Sequence, residues 1–291
     1  MGVRREDLIE YIAHQFHPKH CKLVVNGNIN STSQLIELVE QEWGFWNPKN
    51  KRYVDCLELR HEEWALTLPN INYRQRGSFS TEMHFGFLVD SNPQARFYNM
   101  ENGERLDEKT INSLLPGYLH ENAKLLILNQ ILGVGLSSKL WLKGVEEDML
   151  FSQIGSNFET LKNLSYIYIY GLTENNQFTF SLESILTVLE NLKRSTVSIH
   201  ELSRARETIK AQLVMLQDNP IGRTIWQVEN YLQSGILTNL EDFISALMKV
   251  QANEIRSISL DIFAPSRLVS FISGTAKETR IVDKLIAKHL N

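Results

Sequence analysis

The stretch LLILNQILGVGLSSKLW, residues 125–141, decides how this chain is read. It lies on a longer run, PGYLHENAKLLILNQIL (116–132), that opens with Pro116 at a first helical position and then turns almost wholly apolar. A helix apolar on every side is a buried one. Gly133 and Gly135 predict its C-cap, and Ser137 or Ser138 predicts the cap of a short helix through Leu142. Downstream, strands are predicted at 149–157 and 164–171, the second carrying YIYIYG at 166–171, the strongest β signal in the chain. Helices follow near 179–194, 199–217, 220–233, 239–249 and 252–263, and then a last strand, RLVSFISG, at 267–274.

Upstream, EWALTLPNINY (63–73) and STEMHFGFLVD (80–90) read as extended segments separated by Arg-Gly-Ser, with polar, turn-rich sequence at 92–115. The first 45 residues read as helix (6–17), strand (21–27) and helix (31–43), with Pro18 stopping the first helix. Strands and helices mix without strict β-α-β alternation, so the expected class is α+β, an antiparallel sheet covered by helices.

A chain of 291 residues that is 43% hydrophobic can bury a sizeable core. Thirty basic against 34 acidic residues, a formal net of −4 with no long run of either sign, argue against nucleic acid or anionic lipid as partners. Two cysteines, Cys21 and Cys56, are too few for a disulfide framework; with no apolar leader after MGVRREDL and no span long enough for a membrane, cytoplasmic residence is the expectation.

The densest set of metal-capable side chains is His14, His17, His20 and Cys21, a conceivable four-ligand zinc site, although histidines near a helix C-terminus are independently favoured by its dipole. None of the eight histidines lies in HExxH or HxxEH, and GxSxG, GxxxxGK[ST] and GxGxxG are likewise missing. Gly133-Val-Gly135 follows a helix and not a strand, the wrong setting for a dinucleotide turn. Both cysteines sit in apolar runs, where a thiol is usually an inert core residue.

The run at 125–141 resembles the helix-GGG-SSRLF segment in the second half of peptidases of the pitrilysin, insulin-degrading enzyme and mitochondrial processing peptidase family. SIHELSRARETIKAQLVMLQDNPIGRTIWQVENYLQSGILTNLEDFISALMKVQANEIRSI (198–258) is similar to that family's successive helices with an EL-RAK motif, and EDLIEYIAHQFHPKHCKLVVNGNIN (6–30) resembles the close of its first half. The resemblance implies a two-half architecture of the processing-peptidase, LuxS/metallohydrolase-like type. There one half bears HxxEH and the other is non-catalytic. By that alignment, 1–45 is the tail of a preceding half and 46–291 is the non-catalytic half, with zinc held elsewhere.

Active second halves carry an Arg and, seven residues on, a Tyr that together hold the substrate carbonyl and the developing oxyanion. The corresponding stretch here, LKGVEEDMLF, has Gly144 or Val145 at the first position and Phe151 at the second. Lys143 reaches the Arg position only by a shift of register and lacks the bidentate fork. Lys143 and Phe151 are thus the substrate-contact candidates, with a solvated charge and a core ring as their plainer readings. The resemblance implies a non-catalytic wall of a peptide-binding chamber, partnered by a zinc-bearing half or subunit. A scaffold that keeps the fold for protein binding is the alternative, and self-association through 1–45 is a further expectation, since strand 22–27 would lack a sheet of its own.

Overall fold

The computed structural model describes residues 3–16, 21–45, 70–75, 77, 79–90, 96–97, 105–161, 164–274 and 279–290. Strand β4 (Leu164–Glu174) shows why a sheet forms: Ser165, Ile167, Ile169, Gly171 and Thr173 are buried, while Tyr166, Tyr168 and Tyr170 alternate onto the other face. The same alternation buries Met83, Phe85 and Phe87 of β2 (Ser80–Asp90) and Leu268, Ser270 and Ile272 of β5 (Leu268–Gly274). With β1 (Asn70–Gln75) and β3 (Phe151–Leu161) these make one five-stranded sheet in the order β1-β5-β2-β4-β3. Its pairings are antiparallel except at the β1 edge, where β1 runs parallel to β5. The α+β class expected from sequence is the class observed, with that one parallel ladder added.

Helices cover the apolar face. The buried helix α3 spans Glu108–Gly133, starting two turns before Pro116, because Asp107 accepts a hydrogen bond from the Thr110 amide (3.0 Å) and so caps it. Pro116 therefore lies inside the helix. Leu119, Ala123, Ile127, Leu128, Ile131 and Leu132 are its buried face. Helices α5 (Phe178–Arg194), α6 (Ile199–Gln217), α7 (Pro220–Ser234), α8 (Leu240–Lys249) and α9 (Ala252–Ile262) fall where periodicity placed them. Their ends are set by side chains: a Ser198–Glu201 capping box opens α6, and Gly235 at φ 73° closes α7.

The N-terminal segment differs from the core. Helices α1 (Arg5–Gln15) and α2 (Thr32–Trp43) form, yet α2 buries no residue, and Leu8, Ile9, Ile12, Leu23, Val25, Ile36 and Leu38 are all exposed. Residues 21–31 form no strand, correcting the expected 21–27, since the sheet includes no partner ladder for them. Cys21, read as an inert core thiol, is exposed. Cys56 lies outside the described residues.

A last helix, α10 (Thr279–Leu290), was not foreseen, although Val282, Ile286 and Leu290 recur every fourth residue and are buried. It is clasped to α5: His289 Nδ1 lies 2.5 Å from Glu190 Oε2, Lys288 Nζ donates to Glu183 Oε1 (2.6 Å), and Lys193 Nζ donates to the Leu290 carbonyl (2.5 Å). The hydrogen bond from Lys288 holds the Glu183 carboxyl below its ordinary value, and that from His289 does the same for Glu190. A carboxyl depressed in the folded state stabilises above its unfolded pKa and gives that stability up as pH falls through the folded one. Acidification from about pH 5 toward pH 3 should therefore weaken the α5–α10 clasp. Urea midpoints measured across that window should fall more steeply for the native protein than for Glu190→Gln.

Candidate functional site

The segment that carries the family resemblance folds into a compact corner between α3 and β3. Gly133 is the last residue of α3, and its role is closer than a cap: a Cβ there would lie 2.4 Å from the Ser156 backbone nitrogen, so only glycine lets the helix end rest on β3. Ser156 Oγ donates to Asn129 Oδ1 (2.7 Å), tying strand to helix within the buried layer. Val134 is extended, Gly135 turns at φ 83°, and Ser138 caps α4 (Lys139–Trp141) by accepting from the Trp141 amide.

Helix α6 holds this turn from the side. Arg204 donates to the Ser137 carbonyl (3.0 Å), and Lys139 Nζ donates to Glu201 Oε1 (2.5 Å). Burial works against the charge of Glu201, but hydrogen bonds from Lys139 and Ser198 prevail and keep its carboxyl below the ordinary value. Glu201 thus serves at once the cap of α6 and the anchor of α4.

A π-helical turn, Leu142–Glu147, follows α4. Lys143 Nζ donates to Asp148 Oδ1 (2.8 Å) and Glu147 Oε2 (3.2 Å), and Ser184 of α5 donates to Asp148 Oδ2 (2.8 Å). The hydrogen bond to Asp148, with that to Glu147, raises the Lys143 pKa, so the ammonium is committed to these carboxylates. Met149 then adopts φ 53° with its side chain 76% exposed, a left-handed conformation that sequence gave no reason to expect at a methionine.

Phe151, the other contact candidate, is 7% exposed. Its ring is wedged between two glycines: a Cβ on Gly144 would stand 2.7 Å from Phe151 Cδ2, and one on Gly171 would stand 2.8 Å from Cε1. The two departures noted at residues 144 and 151 are therefore one feature. The Phe151 ring fills the space in which any side chain at 144 would begin, and nothing in the spacing of LKGVEEDMLF reveals that contact.

Of the conceivable metal ligands, Cys21 is exposed; His17 and His20, and the side chain of His14, lie outside what the structure describes. Among the described residues no group of three or more His, Cys, Asp or Glu side chains could hold a metal ion, and no helix is long and apolar enough to cross a membrane.

Over residues 2–209 the chain matches the family described as the Peptidase M16 inactive domain. It is 26% identical over 149 residues to YmxG of Bacillus subtilis (strain 168), described as an uncharacterised zinc protease, a match covering 51% of this chain and 36% of that protein. A protease from Helicobacter pylori has the same fold, with TM-score 0.73 at 16% identity over 94% of this chain and 59% of the other. So does a peptidase M16 inactive domain from Pseudomonas fluorescens, with TM-score 0.60 at 14% identity over 84% and 52%. In each comparison the chain spans less than two thirds of the relative's length.

The wedge predicts a measurable coupling. Gly144→Ala should cost about 1–3 kcal/mol in urea unfolding, because the new methyl overlaps a buried ring. In a Phe151→Leu background the same substitution should cost clearly less, and equal costs in both backgrounds would show that the residues do not share space. Met149→Gly should stabilise by roughly 1 kcal/mol, since glycine adopts the left-handed backbone without a Cβ clash.

Proposed function

We propose that this chain, which belongs to the M16 peptidase family and matches its inactive domain, forms one non-catalytic wall of a peptide-binding chamber whose zinc site is supplied by another half or subunit. The observation that carries the reading is the turn from Leu142 to Phe151. Where the resemblance calls for two hydrogen-bond donors, this fold has a buried Gly144 packed on a buried Phe151, and the nearby Lys143 is held by Asp148. Such a corner has no donor to aim at a developing oxyanion, so its part in hydrolysis by metal-bound water is to enclose and position peptide.

The exposed apolar side chains of 3–45 support the further proposal that this segment completes a preceding half or is covered by another chain, which would make the working unit a heteromer or a longer two-half protein. Cytoplasmic residence belongs to the same reading. The missing donors also favour the second reading, a scaffold that binds protein without proteolysis.

Reconstitution separates them. The chain alone should hydrolyse no peptide and bind no stoichiometric zinc; mixed with a zinc-bearing M16 subunit, it should support chelator-sensitive cleavage of a peptide library. A stable complex without cleavage would establish the scaffold, and zinc-dependent hydrolysis by the isolated chain would overturn both. In the active complex, Phe151→Tyr should leave the rate unchanged. A tenfold gain, equivalent to about 1.4 kcal/mol of transition-state stabilisation, would mean that residue 151 still faces substrate.

A further inference from the structure

The face of the sheet opposite the helices carries a row of aromatic rings. Tyr166, Tyr168 and Tyr170 of β4 stand one after another with ring centroids 6.1 and 6.3 Å apart and planes tilted by 39° and 43°. Their cross-strand neighbours leave the row accessible: Tyr168 lies between Gly86 and Asn157, and Tyr170 between His84 and Gly155. A Cβ at Gly86 would meet only the Val269 carbonyl oxygen, at 3.7 Å, so a gap opens beside the Tyr168 ring. Beyond that gap Val269 and Phe271 are 38% and 39% exposed.

Carboxylates bracket the row. Glu159 stands directly opposite Tyr166 in the β3–β4 register, close enough that, after burial, its charge is the next cause raising the tyrosine's pKa. Glu82 stands two residues before His84 on β2, with a carboxylate oxygen 3.0 Å from that ring. The face of an aromatic ring carries negative potential, and the Glu159 carboxylate opposite Tyr166 adds to it, so the surface around β4 favours positive charge.

We propose that this face is a subsite for lysine and arginine side chains of an extended polypeptide running along β4. The spacing is the argument: alternate side chains of an extended chain project from one side about 6.4–6.8 Å apart, close to the repeat of the tyrosine row. Every second residue of such a chain stacks on a ring, with Glu159 and Glu82 at the two ends of the row. The inference rests on the reading of the chain as a chamber wall, and it names the substrate side chains that the wall selects.

The test uses the isolated full chain and synthetic peptides, so it does not depend on any zinc-bearing partner. A peptide of alternating Lys and Ser should bind more tightly than one with the same composition but its lysines in one block, and a Glu/Ser counterpart should bind weakest, as read by calorimetry at low salt. Tyr168→Leu with Tyr170→Leu should weaken the alternating peptide roughly tenfold, whereas Tyr168→Phe, which keeps the ring and the packing, should retain most of the affinity. Glu159→Gln should flatten the salt dependence. Equal binding of the Lys and Glu peptides, or no effect of the paired leucines in a variant of native thermal stability, would overturn the subsite. Cleavage in the reconstituted complex decides the chamber reading separately.

Discussion

The approach of α3 to β3 at Gly133 is the contact on which the architecture turns. A helix whose last residue has no room even for a methyl group, since a Cβ on Gly133 would lie 2.4 Å from the Ser156 nitrogen, is located on the sheet with little freedom, and the Asn129–Ser156 hydrogen bond ties it to the strand. Helices α6, α8 and α9 all pack on α3, so its seat sets theirs. The turn that leaves Gly133 is held by α6, Arg204 at the Ser137 carbonyl and Glu201 at Lys139. Local chemistry and global packing agree at one residue, which is what gives a fold a unique arrangement.

Much of this was legible in the chain. The β4 strand announces itself through alternation, and α5 to α9 through apolar periodicity with Ser, Asn and Gly at their ends. What escaped has both local and non-local causes. The start of α3 was misplaced because Pro116 looks like a first-turn residue, whereas Asp107 is the better cap. The run at 21–27 has strand composition but no ladder to join, and a strand is a property of a pair. Helix α10 carried an ordinary amphipathic signal, with Val282, Ile286 and Leu290 four residues apart.

The candidate site was legible in outline only. Motif resemblance located the corner and implied that its two donors are replaced, yet read Gly133 as a cap and the residues at 144 and 151 as separate changes. Only the structure shows Gly144, Phe151 and Gly171 sharing one volume, through a contact between residues 151 and 171 on neighbouring strands. The tyrosine row was quoted as a strand signal, but whether those rings face the core or solvent depends on which face the helices cover, and alternation alone is indifferent to that.

The strand order sets a timetable for making the molecule. β5, the last strand among the described residues, lies between β1 and β2, and Phe271 pairs with both Asn72 and His84. During synthesis, therefore, β2 can pair with β4 and the helices can gather on α3 while β1 still has no neighbour, and one edge of β2 stays open until residues 268–274 emerge. Such late, sequence-distant closure is slow and leaves unpaired strand edges exposed in the interval. Chains that terminate early would carry a permanent gap at the middle of the sheet, and β1 would have nothing to pair with. Synthesis of residues 268–274 is thus a condition for the sheet itself.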